Sequence, residues 1–358
     1  MNATHDATTA TSDDAPVLLR RAGRAGHLVL NRPRAINALN HAMVRIMAEA
    51  LDSWEHDASV ATVVVTGAGE RGLCAGGDIR SIHDDVRAGG ADASAAFWHD
   101  EYVLNARIAR YPKPYVAVMD GIVMGGGVGI SAHGGVRVVT ERSRVAMPET
   151  GIGFVPDVGG TFLLTRTPGE LGTHLALTGT AVGAGDALLC GLADHFVPSE
   201  RLAEFTAALA DRSPADAVRE FATEAPAGEL AGQRAWIDSC YAADSVEEIV
   251  DRLRAVGDPQ AKEAAETILA KSPTSLKVTL AALRRARELP SLEAVLEQEY
   301  RVSCATLSAP DLPEGIRAQV VDKDRRPRWS PAELSQVSAA DVARCFEPAA
   351  GRGTLGLV

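Results

Sequence analysis

Two runs of β-branched and small apolar residues, VATVVVTG (60–67) and PYVAVMDG (114–121), each lead within a few residues into clustered glycines: AGGDIR at 75–80 and MGGGVG at 124–129. Apolar runs of this length, without polar alternation, suit strands covered on both faces. Strand and helix alternate through the first half of the chain, which is the repeating pattern of α/β folds with parallel strands. GHLVLNRP (26–33) reads as a strand ending at Pro33. Asn40 caps a helix whose Met43, Ile46, Met47, Ala50, Leu51 and Trp54 share one face. FWHDEYVLNARIARY (97–111) is helical and stops before Pro112, and VRVVTERSRVAMPE (136–149) holds a strand, a turn and a second strand. From residue 158 onward the pattern is mainly helical, apart from a short strand near ADHFVP (193–198). The polar stretch RSPADAVREFATEAPAGELAG (212–232) separates this core from a helical C-terminal part, and no internal repeat is present.

Composition narrows the function classes. Hydrophobic residues make up 46% of the 358 positions and charged residues 23%, enough for a substantial core under an ordinary surface. The net charge of −11 argues against general nucleic-acid binding. It leaves room for an anionic ligand, because a few arginines at one site override the mean field. The five cysteines are scattered, odd in number and form no CxxC pair, which suits free thiols in a reducing compartment. The first fourteen residues, MNATHDATTATSDD, have no apolar run and no arginine, so they read as neither signal nor transit peptide. No stretch approaches about 18 uninterrupted apolar residues, so no membrane span is expected. A disordered tail over residues 1–15 and a cytoplasmic location are the expectations.

GAGERG (67–72) matches a dinucleotide fingerprint only as a string. The helix of that motif must open within its glycines, whereas here LCAGGDIRSI follows, so a turn is the better reading. There is no phosphate-binding GxxxxGK[ST], no GxSxG elbow and no HExxH. The nine histidines show no ligand spacing, no metal site is expected, and His83 in HDD reads as a solvated helix residue. The two glycine clusters each lead from a strand toward a helix N-terminus, where free N–H groups and a positive dipole end are available. Brought together, two such ends would aim two backbone donors at one point, the geometry of an oxyanion hole. Glycine permits that approach because no Cβ intervenes. Tight packing between strand and helix explains the same glycines equally well from pattern alone. Downstream, MPETGIGFVPDVGG (147–160) places Glu149 and Asp157 on one apolar loop, where burial would raise a carboxylate's pKa toward acid–base use. Taken singly, a Glu beside Pro also reads as a cap or surface residue.

NRPRAINALN (31–40), CAGGDIR (74–80), KPYVAVMDGIVMGGGVGISAHG (113–134) and AMPETGIGFVPDVGG (146–160) together resemble the crotonase (enoyl-CoA hydratase/isomerase) superfamily. LGTHLALTG (171–179), SPTSLKVTL (272–280) and EGIRAQVVDKDRRPRW (314–329) extend the resemblance, from about residue 16 to about residue 340, toward its 3-hydroxyisobutyryl-CoA hydrolase subgroup. The resemblance implies an α/β fold with a crotonase-type spiral of ββα turns over residues 16–211 and a helical C-terminal extension over 212–358. It implies an acyl-CoA ligand whose thioester carbonyl is held by the N–H groups of Gly77 and Gly126. Similar hydratases carry a glutamate at the fifth place of the glycine run and another after the Met-Pro turn. This chain has Gly129 at the first and Glu149 at the second, with Asp157 added as in the hydrolase subgroup. The implied catalytic groups are Glu149, either activating water or attacking the carbonyl to form an anhydride, Asp157, either holding the substrate hydroxyl or passing a proton to the leaving thiolate, and the oxyanion donors Gly77 and Gly126. Glu101, Asp78 and Ile79 join Gly126, Glu149 and Asp157 in the substrate site, although Glu101 reads equally as an exposed helix residue. Arg32, Arg34 and Arg80 are the candidates for the CoA phosphates, and each also reads as an ordinary surface arginine.

The implied activity is hydrolysis of a short 3-hydroxyacyl-CoA, 3-hydroxyisobutyryl-CoA first, in valine breakdown. Two alternatives stay open: another activity of this superfamily, such as hydration or isomerisation of an enoyl-CoA, and a non-catalytic acyl-CoA-binding protein. Neither metal nor redox cofactor is implied, CoA being part of the substrate, and a homo-oligomer is compatible with the resemblance. SAPDLPEG (308–315) replaces an aromatic-containing stretch of similar enzymes, a departure that bears on acyl-group preference.

Overall fold

The computed structural model describes residues 14–348 and 351–357. The tail expected over 1–15 lies, in its first thirteen residues, outside the described residues. Strands β1 (Val17–Ala22) and β2 (Ala25–Leu30) form an antiparallel hairpin. Sequence reading missed β1, whose second half (Arg20, Arg21, Ala22) is exposed and carries no buried-strand signature. Helix α1 (His41–His56) follows, capped by the Asn40 side chain accepting from Met43 N. Its expected apolar face is buried, with Val44 inside and Ile46 only half-buried.

Strand β3 (Thr62–Gly67) pairs parallel to β2, and β4 (Tyr115–Met119) pairs parallel to β3. Between them lie helices α2 (Ile79–Arg87) and α3 (Asp92–Ala109), the latter starting five residues before the expected position. His83, expected in solvent, is buried on α2 at 5% exposure, because that face of the short helix packs inward with Ile82. The chain continues as β5 (Ile122–Met124), the four-residue turn α4 (Gly126–Gly129), β6 (Val136–Val139) and β7 (Arg144–Ala146). Later come α5 (Gly160–Leu164), α6 (Leu171–Thr178) and β8 (His195–Phe196).

The main sheet runs β1-β2-β3-β4-β6-β8, parallel from β2 onward, while β5 and β7 form a second small parallel sheet. Bridges from Cys74 to Val123 and from Val145 to Val182 extend that second sheet on either side. Each pass thus lays one strand in the main sheet and a second in the side sheet before turning into helix, which is the ββα spiral. The apolar runs are continuous because both sheet faces are covered. Val63, Val65, Ala117 and Val139 point into the large core with α1 and α3, while Val64, Val116, Val118 and Val138 pack under Phe205, Leu209, Ala217 and Phe221. Phe221 belongs to a helix, Pro214–Phe221, inside the stretch read as a separator, and its ring meets that of Phe205 edge to face at 6.1 Å. Residues on both sides of position 211 therefore complete one face of the sheet. Beyond it, helices Pro273–Ala286 and Leu292–Thr306 both pack on α5, and the second also packs on α3. The cysteines are unpaired, and no helix among the described residues is long and apolar enough to cross a membrane.

Candidate active site

Gly76 and Gly125 hold the two glycine corners at φ +108° and +49°, backbone angles that favour glycine. Leu39 clamps the first corner, its N–H donating to Gly76 O at 2.8 Å and its carbonyl accepting from Asp78 N at 2.7 Å. That bridge leaves the N–H of Gly77 unused. Gly126 opens α4, so its N–H has no intrahelical carbonyl. Neither amide donates to any other group among the described residues. The corners meet: a Cβ added to Gly126 would lie 3.4 Å from Gly77 N. Both glycines line one cleft of about 820 Å³.

Three buried carboxyl groups line the same cleft. Glu101 reaches it from α3, and Glu149 from a 3₁₀ turn, Glu149–Ile152, that follows β7. Asp157 sits on the loop between that turn and α5. Their exposures are 2%, 5% and 5%, so the surface-residue readings of Glu101 and Glu149 do not hold. Glu101 Oε1 lies 2.5 Å from the place a Cβ on Gly126 would take, and Glu149 Oε1 lies 2.8 Å from that on Gly125. The two carboxyls therefore bracket the second glycine corner. Glu101 Oε1 and Glu149 Oε2 have no hydrogen-bond partner, a costly arrangement for buried polar atoms unless a ligand uses them. Burial, and then the charge of Asp157, pushes the pKa of Glu101 and of Glu149 well above the usual carboxylate range. Burial also raises Asp157, to about 7, against the Tyr102 hydrogen bond that lowers it. The Tyr102 hydroxyl donates to Asp157 Oδ2 at 2.6 Å and lies 2.7 Å from Ser303 Oγ.

A fourth buried acid shapes the loop from behind. Glu299, on helix Leu292–Thr306, accepts from Gly159 N (2.6 Å), Thr161 N (2.9 Å) and Thr161 Oγ1 (2.6 Å), and burial pushes its pKa up to about 8. These bonds satisfy the start of α5, so Glu299 serves as its cap. Tyr102, Ser303 and Glu299 carry no motif signal, and their roles exist only through packing. Trp98 and Phe154, stacked at 4.9 Å and 11°, join Phe97, Ile82 and Leu312 in the apolar lining. Leu312 comes from the departing segment SAPDLPEG.

Asp78, Ile79, Arg32, Arg34 and Arg80 all line the cleft as well. The Asp78 carboxylate is taken by Arg32, whose guanidinium donates to Asp78 Oδ2 (2.8 Å) and Ala38 O (2.6 Å). Arg80 donates to Val320 O at 2.9 Å, and Arg34 is exposed with no ion pair among the described residues. Lys271 and Lys323, which sequence reading did not single out, also line the cleft. At the fifth place of the glycine run there is no room for a carboxylate. A Cβ on Gly129 would meet Val158 Cβ at 2.6 Å and Asn105 Nδ2 at 2.9 Å.

A family model described as enoyl-CoA hydratase/isomerase matches residues 25–346. The chain belongs to this family. Among its relatives, the mitochondrial 3-hydroxyisobutyryl-CoA hydrolase of Danio rerio is 44% identical over 342 residues, covering 92% of this chain and 89% of that protein. The enzyme of the same name from Homo sapiens is 42% identical over 342 residues, covering 92% and 88%. Two crystal structures share this family fold closely. One, described as a carnitinyl-CoA dehydratase from Mycobacterium thermoresistibile, has a TM-score of 0.91 at 55% identity, covering 94% of this chain and 97% of that one. The other, described as an enoyl-CoA hydratase from Rhodobacter sphaeroides 2.4.1, has a TM-score of 0.88 at 41% identity, covering 93% and 97%.

Proposed function

We propose that this family member hydrolyses the thioester of a short 3-hydroxyacyl-CoA, with 3-hydroxyisobutyryl-CoA as its substrate. The observation that carries the reading is the pairing of two unused amides, Gly77 N–H and Gly126 N–H, with buried Glu149 and Asp157, while the first hydratase position, at Gly129, is closed by Val158 and Asn105. Donors aimed at a developing oxyanion are among the largest contributors to acyl-transfer catalysis. In this reading the thioester oxygen sits between the two amides. Glu149 takes a proton from the attacking water, and Asp157 serves the leaving sulfur. Glu101 contacts the substrate beside Gly126. Arg34, Arg80 and the Arg32–Asp78 pair border the CoA moiety. The chemistry needs no metal or redox cofactor, because water, thioester and carboxylates supply every atom moved.

The names of the curated relatives support hydrolysis of 3-hydroxyisobutyryl-CoA, and a place in valine breakdown is part of the same proposal. The names of the two solved structures favour a second reading, addition or removal of water at a carbon–carbon double bond. That reaction would have to run with Glu149 and without a carboxylate at position 129. A cytoplasmic location is part of this proposal, whereas the hydrolase relatives are named mitochondrial. The test is parallel measurement of thiol release from 3-hydroxyisobutyryl-CoA and of enoyl absorbance with crotonyl-CoA. Fast thiol release with little loss of enoyl absorbance is expected; the reverse pattern overturns the hydrolase reading.

A further inference from the structure

Asp157 is gripped from behind by neutral groups alone. Tyr102 Oη lies 2.6 Å from Asp157 Oδ2 and 2.7 Å from Ser303 Oγ, and both Tyr102 and Ser303 are fully buried. A phenol has one proton, and Tyr102 gives it to Asp157, so the serine must donate to the phenol oxygen. The chain therefore runs Ser303 to Tyr102 to Asp157, each hydroxyl polarising the next. It joins three separate elements: the loop before α5, helix α3 and helix Leu292–Thr306.

The other titratable groups facing Asp157 are Glu101 on α3, Glu149 on its 3₁₀ turn and Glu299 on helix Leu292–Thr306, with His133 bonded to the Val158 carbonyl at 2.8 Å. No lysine or arginine hydrogen-bonds or ion-pairs with it among the described residues. A cation there would pin the carboxyl in its ionised form. A neutral hydroxyl orients the same group and still leaves its acid form accessible.

We infer that Tyr102, backed by Ser303, is a positioning residue that holds Asp157 by its rear oxygen so that the cleft-facing oxygen delivers a proton to the leaving sulfur. The inference rests on the hydrolase reading. Water adds to the thioester carbon and one of its protons passes to Glu149. The C–S bond breaks with its electron pair going to sulfur, and the Asp157 proton follows onto that sulfur, giving free acid and thiol. The Glu149 proton returns to Asp157 by exchange with solvent. A hydroxyl chain serves this cycle because Tyr102 donates to the rear oxygen in both protonation states, more strongly when Asp157 is charged.

The experiment is the pH profile of thiol release by wild type, Tyr102→Phe and Ser303→Ala, with folding followed by circular dichroism. Losing the donor disfavours ionised Asp157, so the alkaline limb in Tyr102→Phe moves up by about one pH unit. Ser303→Ala removes only the polarising partner and moves the limb the same way by less. It also serves if Tyr102→Phe does not fold. A lower kcat with the limb unmoved in the folded variants would make the two residues merely structural and overturn the inference. The same displacement is read without turnover by ¹³C NMR of aspartate-labelled protein, with Asp157→Asn assigning the resonance. A wild type that releases no thiol would sink the hydrolase reading, while an unshifted Asp157 resonance in Tyr102→Phe would sink the positioning role.

Discussion

Val158 occupies the space that a side chain on Gly129 would need: an added Cβ would lie 2.6 Å from Val158 Cβ and 3.0 Å from Val158 Cγ2, with Asn105 Nδ2 at 2.9 Å on the other side. Val158 holds φ +54°, uncommon for a β-branched residue, with its carbonyl bonded to His133 and the next amide to Glu299. The loop that brings Asp157 to the cleft is therefore the one that closes the first hydratase position, at Gly129. Gly129→Glu should not confer hydratase activity. It should instead destabilise the fold by about 1–3 kcal/mol through overpacking. Denaturant unfolding and an enoyl-absorbance assay check both halves, and a stable variant that hydrates crotonyl-CoA would refute the steric argument.

Glu149→Gln keeps size and most polarity but cannot accept a proton from water. Its kcat for thiol release should fall by about 10²–10⁴, with saturable substrate binding retained. A single turnover of wild type in ¹⁸O-water separates two routes. Label appearing on Glu149, with the first product unlabelled, shows that Glu149 attacked and that water then opened the anhydride at the glutamyl carbonyl; direct attack by water leaves the glutamate unlabelled.

Gly126→Ala tests the oxyanion assignment with little threat to the fold. The new methyl would lie 2.5 Å from Glu101 Oε1 and 3.2 Å from Leu39 Cδ1, both ends of movable side chains, and in the space beside Gly77 N. The expected outcome is a folded enzyme whose kcat falls by on the order of 10²-fold. Near-normal kcat would place the oxyanion elsewhere.

The buried acids make stability depend on pH with a definite sign. Asp157 rises from an unfolded value of 3.8 to about 7 in the fold. The folded state then holds the proton more tightly than the unfolded chain, so stability falls as pH climbs from about 4 to about 7 and is flat beyond. Glu101 and Glu149, both raised, act in the same direction, as does Glu299 at about 8. Asp157→Asn removes one such penalty. Relative to wild type it should gain on the order of 1–4 kcal/mol between pH 4 and pH 7.5, read by denaturant melts at each pH. Parallel pH slopes for variant and wild type would contradict the raised pKa.

In kinetics Asp157→Asn should slow 3-hydroxyisobutyryl-CoA and isobutyryl-CoA by similar factors, because the leaving sulfur is common to both. Selective loss on the hydroxylated substrate would instead make Asp157 a reader of the 3-hydroxyl.

Local pattern was sufficient for the elements that need only their own residues. The β-branched and small apolar runs at 60–67 and 114–119 pointed to strands covered on both faces, and Asn40 capped α1 through a bond three residues away. The glycines at 76–77 and 125–126, with Glu149 and Asp157 on their short apolar loop, were likewise visible as a grouping of residue types. Only the tertiary structure separated close approach from tight packing at those glycines, since that depends on two corners, far apart in the chain, meeting with their amides unspent. It alone buried His83, tied Asp78 to Arg32 across 46 positions, and capped α5 with Glu299, 140 positions from Gly159. The Tyr102–Ser303 bond spans 201 positions. Such partners are chosen by the packing of helix Leu292–Thr306 against α3, and a hydrogen bond set by that packing leaves no period or spacing in the sequence around either residue.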